Sequence, residues 1–464
     1  MIRHALLAAA ALTLLPAGTV ATAQTVTQDD IEARYDRALA AGYKALFLCG
    51  AIANAERNGA ARSPESVERW ELTGIQQPLD RLVGSLRAVP IRVSPVSAAG
   101  ASNASPLAAY SVEWGEGAEP RLAVNSGETG CRLAPIGTDL QTALGKAGTP
   151  MRPVRSEAGA APADPAGIAG RGFDQALYGE GTRTTAVLVT QGAQSVAEAY
   201  DDDFGPSVPQ RTWSVAKSLA ATLVGAAVQR GDTDVEASAG LGADESDPRR
   251  AISIDDLLRM TSGRYSDTAG NRTDPLYFGG ATVEDRATDW PLLYAPGTVF
   301  RYANNDTLMA VRAIGEGLET HSPAELFARL GMEHTVAETD WEGSYILSSQ
   351  VWSTARDLAK LGQLYLQNGR LPDGTRILPG RWMDYVSSPS GPQPDGPFGY
   401  GAGFWLMNNS DGVPPDTFAA FGNRGQYVVI VPSREIVIVR RGEDPTGSRF
   451  DIAAFTRDVL AALD

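Results

Sequence analysis

The sequence has 464 residues, a formal net charge of −15 at pH 7 and 43% hydrophobic residues. A chain this acidic has no electrostatic footprint for nucleic acid or for an anionic membrane surface, so neither partner is expected. The hydrophobic content is sufficient for a large core, and the length is comfortable for two domains.

The first 23 residues predict a secretory signal peptide. Arg3 supplies a positive start, residues 5–15 form an apolar run, and Ala21-Thr22-Ala23 is a small-x-small cleavage site. The run is too short to span a bilayer, which disfavours the alternative of an uncleaved anchor, and no later segment has the ~18 unbroken apolar residues of a membrane helix. We therefore expect an exported protein, periplasmic or secreted, without a membrane span.

Residues 24–146 predict a smaller N-terminal α+β region whose role the sequence does not give. Gln28–Arg57 has apolar residues at helical spacing. Three strand candidates follow, at 90–93, 108–114 and 121–124. Cys49 and Cys131 are the two cysteines of the chain, and in an oxidising compartment we expect them to form one disulfide rather than two buried thiols. The bridge would close a loop of about 80 residues, a contribution of ~4 kcal/mol to stability.

Residues 147–170 are rich in Ala, Pro and Gly and predict a linker, which places the domain boundary there. Residues 171–464 then form the second domain. A hairpin at 185–200 is followed by a helix that ends at Arg230-Gly231, a mostly helical middle, strands at 403–407, 426–431 and 435–440, and a closing helix at 449–463. This order predicts the α+β class, with one antiparallel sheet flanked by helices and a helical insert.

A lysine follows a serine by three residues within the apolar stretch T-W-S-V-A-K-S-L, residues 212–219. On a helix, positions i and i+3 share a face, so Ser214 and Lys217 can meet. Apolar neighbours would lower the pKa of the lysine, and a neutral lysine can take the proton of a serine hydroxyl. The alternative is a lysine that snorkels to water. The pattern therefore predicts a nucleophile and its base, subject to support from elsewhere in the chain.

Other hydrolase and nucleotide-binding patterns are missing from the sequence. The two histidines beyond the signal peptide, His321 and His334, are expected to be surface or capping residues, and no G-x-S-x-G elbow accompanies them. There is no Walker-type P-loop, no Rossmann glycine fingerprint and no Cys/His cluster for a metal. We expect neither a cofactor nor a metal.

Two further motifs support Ser214 and Lys217. Tyr302-Ala303-Asn304 lies within P-G-T-V-F-R-Y-A-N-N-D, and G-N-R-G-Q at 422–426 opens a strand. S-x-x-K, then Y-x-N, then a glycine-containing triad on a strand resembles the penicillin-recognising serine enzymes. The resemblance is closest to the class C β-lactamase-related branch, which includes esterases and 6-aminohexanoate-dimer hydrolase-like proteins. It covers about residues 170–464 and implies the β-lactamase/transpeptidase-like fold.

The resemblance also implies a role for each motif residue. Ser214 would form the acyl-enzyme and Lys217 would accept its proton. Tyr302 would relay protons to the leaving group and later activate water. Asn304 would hold Lys217 or a substrate amide. The backbone N–H groups of Ser214 and Gln426 would form the oxyanion hole, and a glycine beside the second would let a substrate approach the strand closely.

The third motif departs from the family pattern. Relatives that handle β-lactams have Lys-Thr-Gly or a close variant, whereas this chain has Asn423-Arg424-Gly425. These three residues are predicted to contact the substrate, and the Arg424 fork suits a carboxylate. The change puts efficient β-lactam hydrolysis in doubt and fits the esterase and amide-hydrolase relatives.

The sequence therefore predicts an exported serine hydrolase that acts on a small ester or amide. Two alternatives stay open: a β-lactamase or D-alanyl peptidase, and a non-catalytic binding module of the same fold. Loops at 265–290 and 387–400 are the expected pocket walls. The natural substrate and the oligomeric state are not determined by these motifs.

Overall fold

The structure is a computed structural model, and it describes residues 25–93, 105–149, 164, 167–265 and 273–464. The predicted signal peptide lies outside the described residues, and so does most of the predicted linker. The boundary between the N-terminal region and the predicted hydrolase domain, residues 171–464 and called the hydrolase domain from here on, therefore stays a prediction.

The N-terminal region packs one long helix on a small sheet. Its four strands are antiparallel and adjacent in the order β1-β2-β3-β4. The elements are α1 (Gln28–Arg57), α2 (Pro64–Trp70), α3 (Leu79–Val83), β1 (Ala88–Arg92), β2 (Leu107–Val112), β3 (Arg121–Asn125), β4 (Cys131–Leu133) and α4 (Leu140–Gly145). Cys49 of α1 and Cys131 of β4 form a disulfide, with Cα atoms 6.0 Å apart. The predicted pairing of the two cysteines is confirmed.

Helix α1 has the predicted bounds but a different environment. The sequence predicts one apolar stripe, whereas every residue from Ala38 to Ala55 is buried. By length and composition α1 is the one helix of the described residues that could cross a membrane, and its apolar stretch is entirely inside the protein. A helix that is apolar on all sides is buried on all sides. Here the small sheet and the hydrolase domain cover it together.

The hydrolase domain is built on a seven-stranded antiparallel sheet with the order β10-β11-β12-β13-β14-β5-β6, and three short strands form a second sheet, β7-β9-β8. The strands are β5 (Thr184–Gln191), β6 (Gln194–Tyr200), β7 (Gln210–Arg211), β8 (Val336–Ala337), β9 (Val351–Ser353), β10 (Gly399–Tyr400), β11 (Trp405–Leu406), β12 (Phe418–Gly422), β13 (Gln426–Val431) and β14 (Ile436–Gly442). The predicted antiparallel sheet is confirmed. Strand β12 was not predicted from the sequence.

Helices cover both faces of the large sheet. They are α5 (Ile168–Arg171), α6 (Gln175–Tyr178), α7 (Val215–Arg230), α8 (Ile254–Leu258), α9 (Asp274–Tyr277), α10 (Val283–Ala287), α11 (Asn304–Arg312), α12 (Glu316–Thr320), α13 (Pro323–Arg329), α14 (Ala355–Leu366), α15 (Trp382–Ser387) and α16 (Ile452–Ala462). Helices α7 and α14 pack on one face, and α5 and α16 pack on the other. The predicted α+β class, with helices flanking the sheet and a helical insert, is confirmed.

The N-terminal region and the hydrolase domain share one hydrophobic core. At two positions of α1 the hydrolase domain comes so close that only glycine fits. A Cβ at Gly42 would lie 2.0 Å from the Phe278 carbonyl oxygen, and one at Gly50 would lie 2.6 Å from the Trp352 ring. Close packing of this kind resembles a protein interior rather than two independent units. Helix α1 is therefore part of the support on which the hydrolase domain is built.

Candidate active site

Ser214 lies where β7 turns into α7. Trp213, immediately before it, has φ of 49°, a left-handed conformation that costs a bulky residue about 1–3 kcal/mol and is often found at functional sites. Ser214 is the N-cap residue of α7. Within the described residues its backbone N–H donates no hydrogen bond. The first turn of α7 thus presents the Ser214 hydroxyl and a backbone donor at the end of an apolar helix.

Lys217 lies one turn into α7 and is 1% exposed. Its Nζ donates to Ser214 Oγ at 3.0 Å, to Asn304 Oδ1 at 2.6 Å and to the Ser348 carbonyl oxygen at 2.9 Å. Burial lowers the pKa of Lys217 from 10.5 to about 7, because the charged form loses its hydration. The lysine does not snorkel to water, and near neutral pH a large fraction of it is unprotonated.

The Y-x-N motif reaches the same point from α11. Asn304 is the first residue of that helix and is buried. Its carboxamide oxygen contacts Lys217, which favours the first of its two predicted roles. Two residues earlier, the ring of Tyr302 has its centroid 4.9 Å from Lys217 Nζ. The structure therefore brings together the three residues of the predicted catalytic group, although they come from two separate parts of the chain.

Tyr302 is held among aromatic side chains. Its ring centroid lies 5.4 Å from that of Trp405. Burial raises the pKa of Tyr302 above its usual value, and hydrogen bonds with Ser214 and Trp405 act in the opposite direction. Because the net shift is upward, the phenol keeps its proton at ordinary pH. Tyr302 is thus able to donate a proton to a group at Ser214.

The third motif is positioned differently from the prediction. A Cβ at Gly422 would lie 3.2 Å from the Ser214 nitrogen and 2.4 Å from the Thr212 carbonyl oxygen. Gly422, the last residue of β12, is therefore the glycine whose backbone approaches the nucleophile. Gln426 is fully buried, and its side-chain amide donates to the Gly442 carbonyl oxygen on the neighbouring strand. The prediction, however, concerned the Gln426 backbone N–H. Gln426 pairs with Gly422 across the β12–β13 hairpin and does not line the cavity at Ser214, so the structure gives no support to its predicted place in the oxyanion hole.

Gly425 also differs from its predicted role. It has φ of 79° in the turn between β12 and β13, and a Cβ there would overlap the guanidinium of Arg440 and the carboxylate of Asp444. The glycine is required for packing against this buried ion pair rather than for close approach of a substrate. Asn423, in the same turn, is exposed and lines the cavity, and its contact with a substrate stays a prediction.

The prediction that Arg424 binds a substrate carboxylate is not supported. The Arg424 side chain is 95% removed from solvent, and its Nε donates to Glu443 Oε2 at 2.6 Å. Its Nη atoms donate to the carbonyl oxygens of Trp70, Thr73 and Gly74 at 2.8, 2.9 and 3.1 Å. All three nitrogens are thus committed to protein acceptors. Arg424 is among the residues that line the cavity, but its guanidinium nitrogens donate to Glu443 and to the N-terminal region.

Ser214, Tyr302 and Asn304 line a cavity of about 510 Å³. Of the two predicted walls, 265–290 contributes residues 273, 274, 277 and 278, whereas 387–400 contributes none. Two walls were not predicted: Gln76 from the N-terminal region, and the loop 444–448 that follows β14. The cavity is thus built by both parts of the chain.

Three residues at the candidate site were not predicted from the sequence, each for a different reason. The Ser348 acceptor is a backbone carbonyl, which no motif reveals. Gly422 had a signal, since F-A-A-F-G precedes the N-R-G turn and a strand that ends in glycine next to a hairpin turn fits close backbone approach. Gln76 had none, because nothing local relates it to Ser214.

Comparison with known proteins identifies the family. The family model described as Beta-lactamase matches residues 171–462, more than half of the chain. The chain belongs to the beta-lactamase family, and it is a serine hydrolase of that family. This assignment agrees with the resemblance carried by the three motifs.

The individual relatives have low sequence identity to this chain. The chain is 28% identical over 304 residues to the 6-aminohexanoate-dimer hydrolase of Paenarthrobacter ureafaciens, which covers 57% of this chain and 74% of the relative. The solved structure "Putative 6-aminohexanoate-dimer hydrolase from Bacillus anthracis" has a TM-score of 0.51 and 24% identity, over 61% of this chain and 79% of that one. The second likeness supports the fold.

Proposed function

We propose that the protein hydrolyses a small ester or amide through an acyl-enzyme on Ser214. The observation that carries the proposal is the pair Ser214–Lys217, whose Oγ and Nζ atoms are 3.0 Å apart, with the pKa of the lysine lowered to about 7. A general base works best when its pKa is near the working pH and it is within hydrogen-bond reach of the proton. Lys217 meets both conditions.

Acylation begins with transfer of the Ser214 proton to the lone pair of neutral Lys217. As the O–H bond breaks, Oγ bonds to the carbonyl carbon of the substrate, and the carbonyl oxygen becomes an oxyanion. The hydrogen bonds from Lys217 to Asn304 and to the Ser348 carbonyl oxygen hold the amine in place. They also stabilise the ammonium ion once it has formed, because both acceptors carry partial negative charge.

The proposed oxyanion hole has the Ser214 N–H as a donor and lies beside Gly422, whose backbone comes close to the Ser214 nitrogen. Backbone donors are worth several kcal/mol when they are aimed at developing charge. Tyr302 passes a proton to the leaving oxygen or nitrogen as its bond to carbon breaks, and the Lys217 ammonium replaces that proton. Water then attacks the acyl carbon and loses a proton to neutral Lys217, directly or through Tyr302, which takes that proton as it passes its own to Lys217. The Lys217 ammonium gives a proton to Ser214 Oγ as the bond from Oγ to the acyl carbon breaks, which releases the acid and restores the Ser214 hydroxyl.

For the substrate, we infer an open-chain amide or ester rather than a β-lactam. The name of the relative from Paenarthrobacter ureafaciens describes hydrolysis of a 6-aminohexanoate dimer, and the third motif supplies no lysine. The Arg424 guanidinium, which could have replaced that lysine as an anion-binding group, is committed to the protein. A β-lactamase or D-alanyl peptidase activity is the weaker proposal for this reason. A pure binding module is weaker still, since Ser214, Lys217 and Tyr302 are all assembled.

Export is part of the same proposal. The signal-peptide pattern in the first 23 residues supports a periplasmic or secreted location. The disulfide between Cys49 and Cys131 supports an oxidising compartment, because such bonds are rare in proteins of the reducing cytosol.

The test is hydrolysis of p-nitrophenyl butyrate by the wild type and by Ser214→Ala, with Ser218→Ala as the matched control. Ser218 is on the same helix, and its hydroxyl donates to the Gly403 carbonyl oxygen at 2.7 Å instead of entering the site. We expect Ser214→Ala to lower kcat by a factor on the order of 10⁴ to 10⁶ and Ser218→Ala to keep the activity. Equal rates in the two serine variants would contradict the assignment of the nucleophile.

A further inference from the structure

The chain between α2 and α3 brings the N-terminal region to the active-site cavity. Its first part, residues 70–76, starts at the last residue of α2 and is called the 70–76 turn. It ends with Gln76, which lines the cavity that contains Ser214. We propose that the side-chain amides of Gln76 and Asn423 bind an amide group of the substrate outside the scissile bond, and that Arg424 positions Gln76. The inference rests on the proposed function. It gives the N-terminal region a role in choosing the substrate, which would have an uncharged amide group where it meets Gln76 and Asn423.

Arg424 connects the two segments of backbone that carry these amides. It follows Asn423 in the hairpin turn, with φ of 57°, and its guanidinium reaches across to the carbonyl oxygens of Trp70, Thr73 and Gly74. The planar fork of arginine suits several acceptors in one plane, which the point charge of lysine cannot satisfy together. One residue thus determines the separation between the hairpin and the 70–76 turn.

The 70–76 turn is also fastened on its other side. The Thr446 N–H, from the loop that lines the cavity, donates to the Gly74 carbonyl oxygen at 2.8 Å. Gly74 has φ of 71°, and a Cβ there would lie 2.7 Å from Pro445. The Asp80 carboxylate accepts from the N–H groups of Gly74 and Ile75 at 2.8 and 3.1 Å. The backbone that carries Gln76 is therefore held rigidly, as a specificity residue requires.

The chemistry of the two side chains indicates the ligand. Among the described residues none shares a hydrogen bond with the Gln76 side chain, so its oxygen and its NH₂ group are both available to a ligand. Asn423 Oδ1 accepts from the Arg424 N–H at 2.9 Å, which leaves the exposed Asn423 NH₂ group as a donor. A primary amide matches the donor and the acceptor of another amide, and it offers no charge to an ion.

The experiment compares two esters with acyl chains of equal length, p-nitrophenyl N-acetylglycinate and p-nitrophenyl pentanoate. The first has an internal amide and the second does not. The variant is Gln76→Ala and the matched control is Gln77→Ala, an adjacent glutamine that is exposed and does not line the cavity. We expect Gln76→Ala to lower the ratio of kcat/KM for the amide ester to that for the pentanoate about 3- to 10-fold, as for loss of a neutral hydrogen bond. Gln77→Ala should leave the ratio at the wild-type value.

The role of Arg424 is tested with Arg424→Lys, alone and combined with Gln76→Ala. If Arg424 acts through Gln76, the single variant lowers the same ratio and the double variant lowers it no further than Gln76→Ala does. A general structural defect would slow both esters equally and leave the ratio unchanged, which would overturn the positioning role.

Two results separate this inference from the proposed function. Failure of a fluorophosphonate probe to label Ser214 in the wild type would refute the proposed function and this inference with it. Labelling and turnover of both esters, with the same ratio in Gln76→Ala and Gln77→Ala, would refute the inference about Gln76 alone.

Discussion

The pKa of Lys217 is open to a direct test by the change Asn304→Asp. The Asn304 oxygen lies 2.6 Å from Lys217 Nζ, so the variant places a carboxylate against the ammonium form. An opposite charge this close raises the pKa of a lysine by roughly one to three units, from about 7 towards about 8–10. Because only neutral lysine accepts the serine proton, activity is lost as pH falls through this pKa. At pH 7 the neutral fraction would fall about 5- to 500-fold, and activity would return at higher pH.

The assay is kcat/KM for p-nitrophenyl butyrate between pH 5 and 10, which reports the pKa values of the free enzyme. The wild type should rise to a plateau with an apparent pKa near 7. Asn304→Leu, of similar size but without the oxygen or a charge, is the control, and its rising limb should not move to higher pH. If the rising limb of the pH profile of Asn304→Asp coincides with that of the wild type, the assignment of Lys217 as the base is refuted. A wild-type limb with the pKa of an ordinary lysine would refute it as well.

Two further predictions concern stability. Replacing both Cys49 and Cys131 by alanine should lower the free energy of unfolding by ~4 kcal/mol, because the disulfide closes a long loop. Unfolding in guanidinium chloride measures this free energy. A loss below about 1 kcal/mol would count against the loop-closure estimate. Gly50→Ala should cost about 1–3 kcal/mol by overpacking against Trp352, although alanine favours a helix. Its control is Gly84→Ala, where a Cβ has no atom within 4 Å, and similar unfolding midpoints for the two glycine variants would contradict the close packing of α1.

Local patterns were enough to predict much of the fold. The bounds of α1 follow from a Thr27 cap and a long apolar run, and the end of α7 follows from Gly231 in the left-handed conformation. The disulfide followed from counting cysteines. The helix ends depend on residues that are close in the sequence, and the disulfide depends on the number of cysteines. Both kinds of information can be read from one sequence.

The parts that sequence reasoning missed depend on tertiary contacts. The motif at 422–426 was correctly associated with the site, but the residue that meets Ser214 is Gly422 on β12, and not Gln426. Which glycine approaches the nucleophile depends on the register between β12 and β13, and a change of a single position moves a residue to the opposite face. Arg424 likewise has the right chemistry for an anion, but it donates to Glu443 on a neighbouring segment and to carbonyl oxygens of residues 70–74, which lie far earlier in the chain.

The buried position of α1 has a consequence for the order in which the protein assembles. Helix α1 is synthesised well before Phe278 and Trp352, which pack against its glycines. Until they arrive, the nascent chain exposes a helix apolar enough to enter a bilayer. Contacts between distant parts of a chain form slowly, because a long loop must close before they stabilise anything. The cavity that Gln76 and Ser214 both line is complete only after this step, so an incomplete chain would lack part of the proposed substrate site.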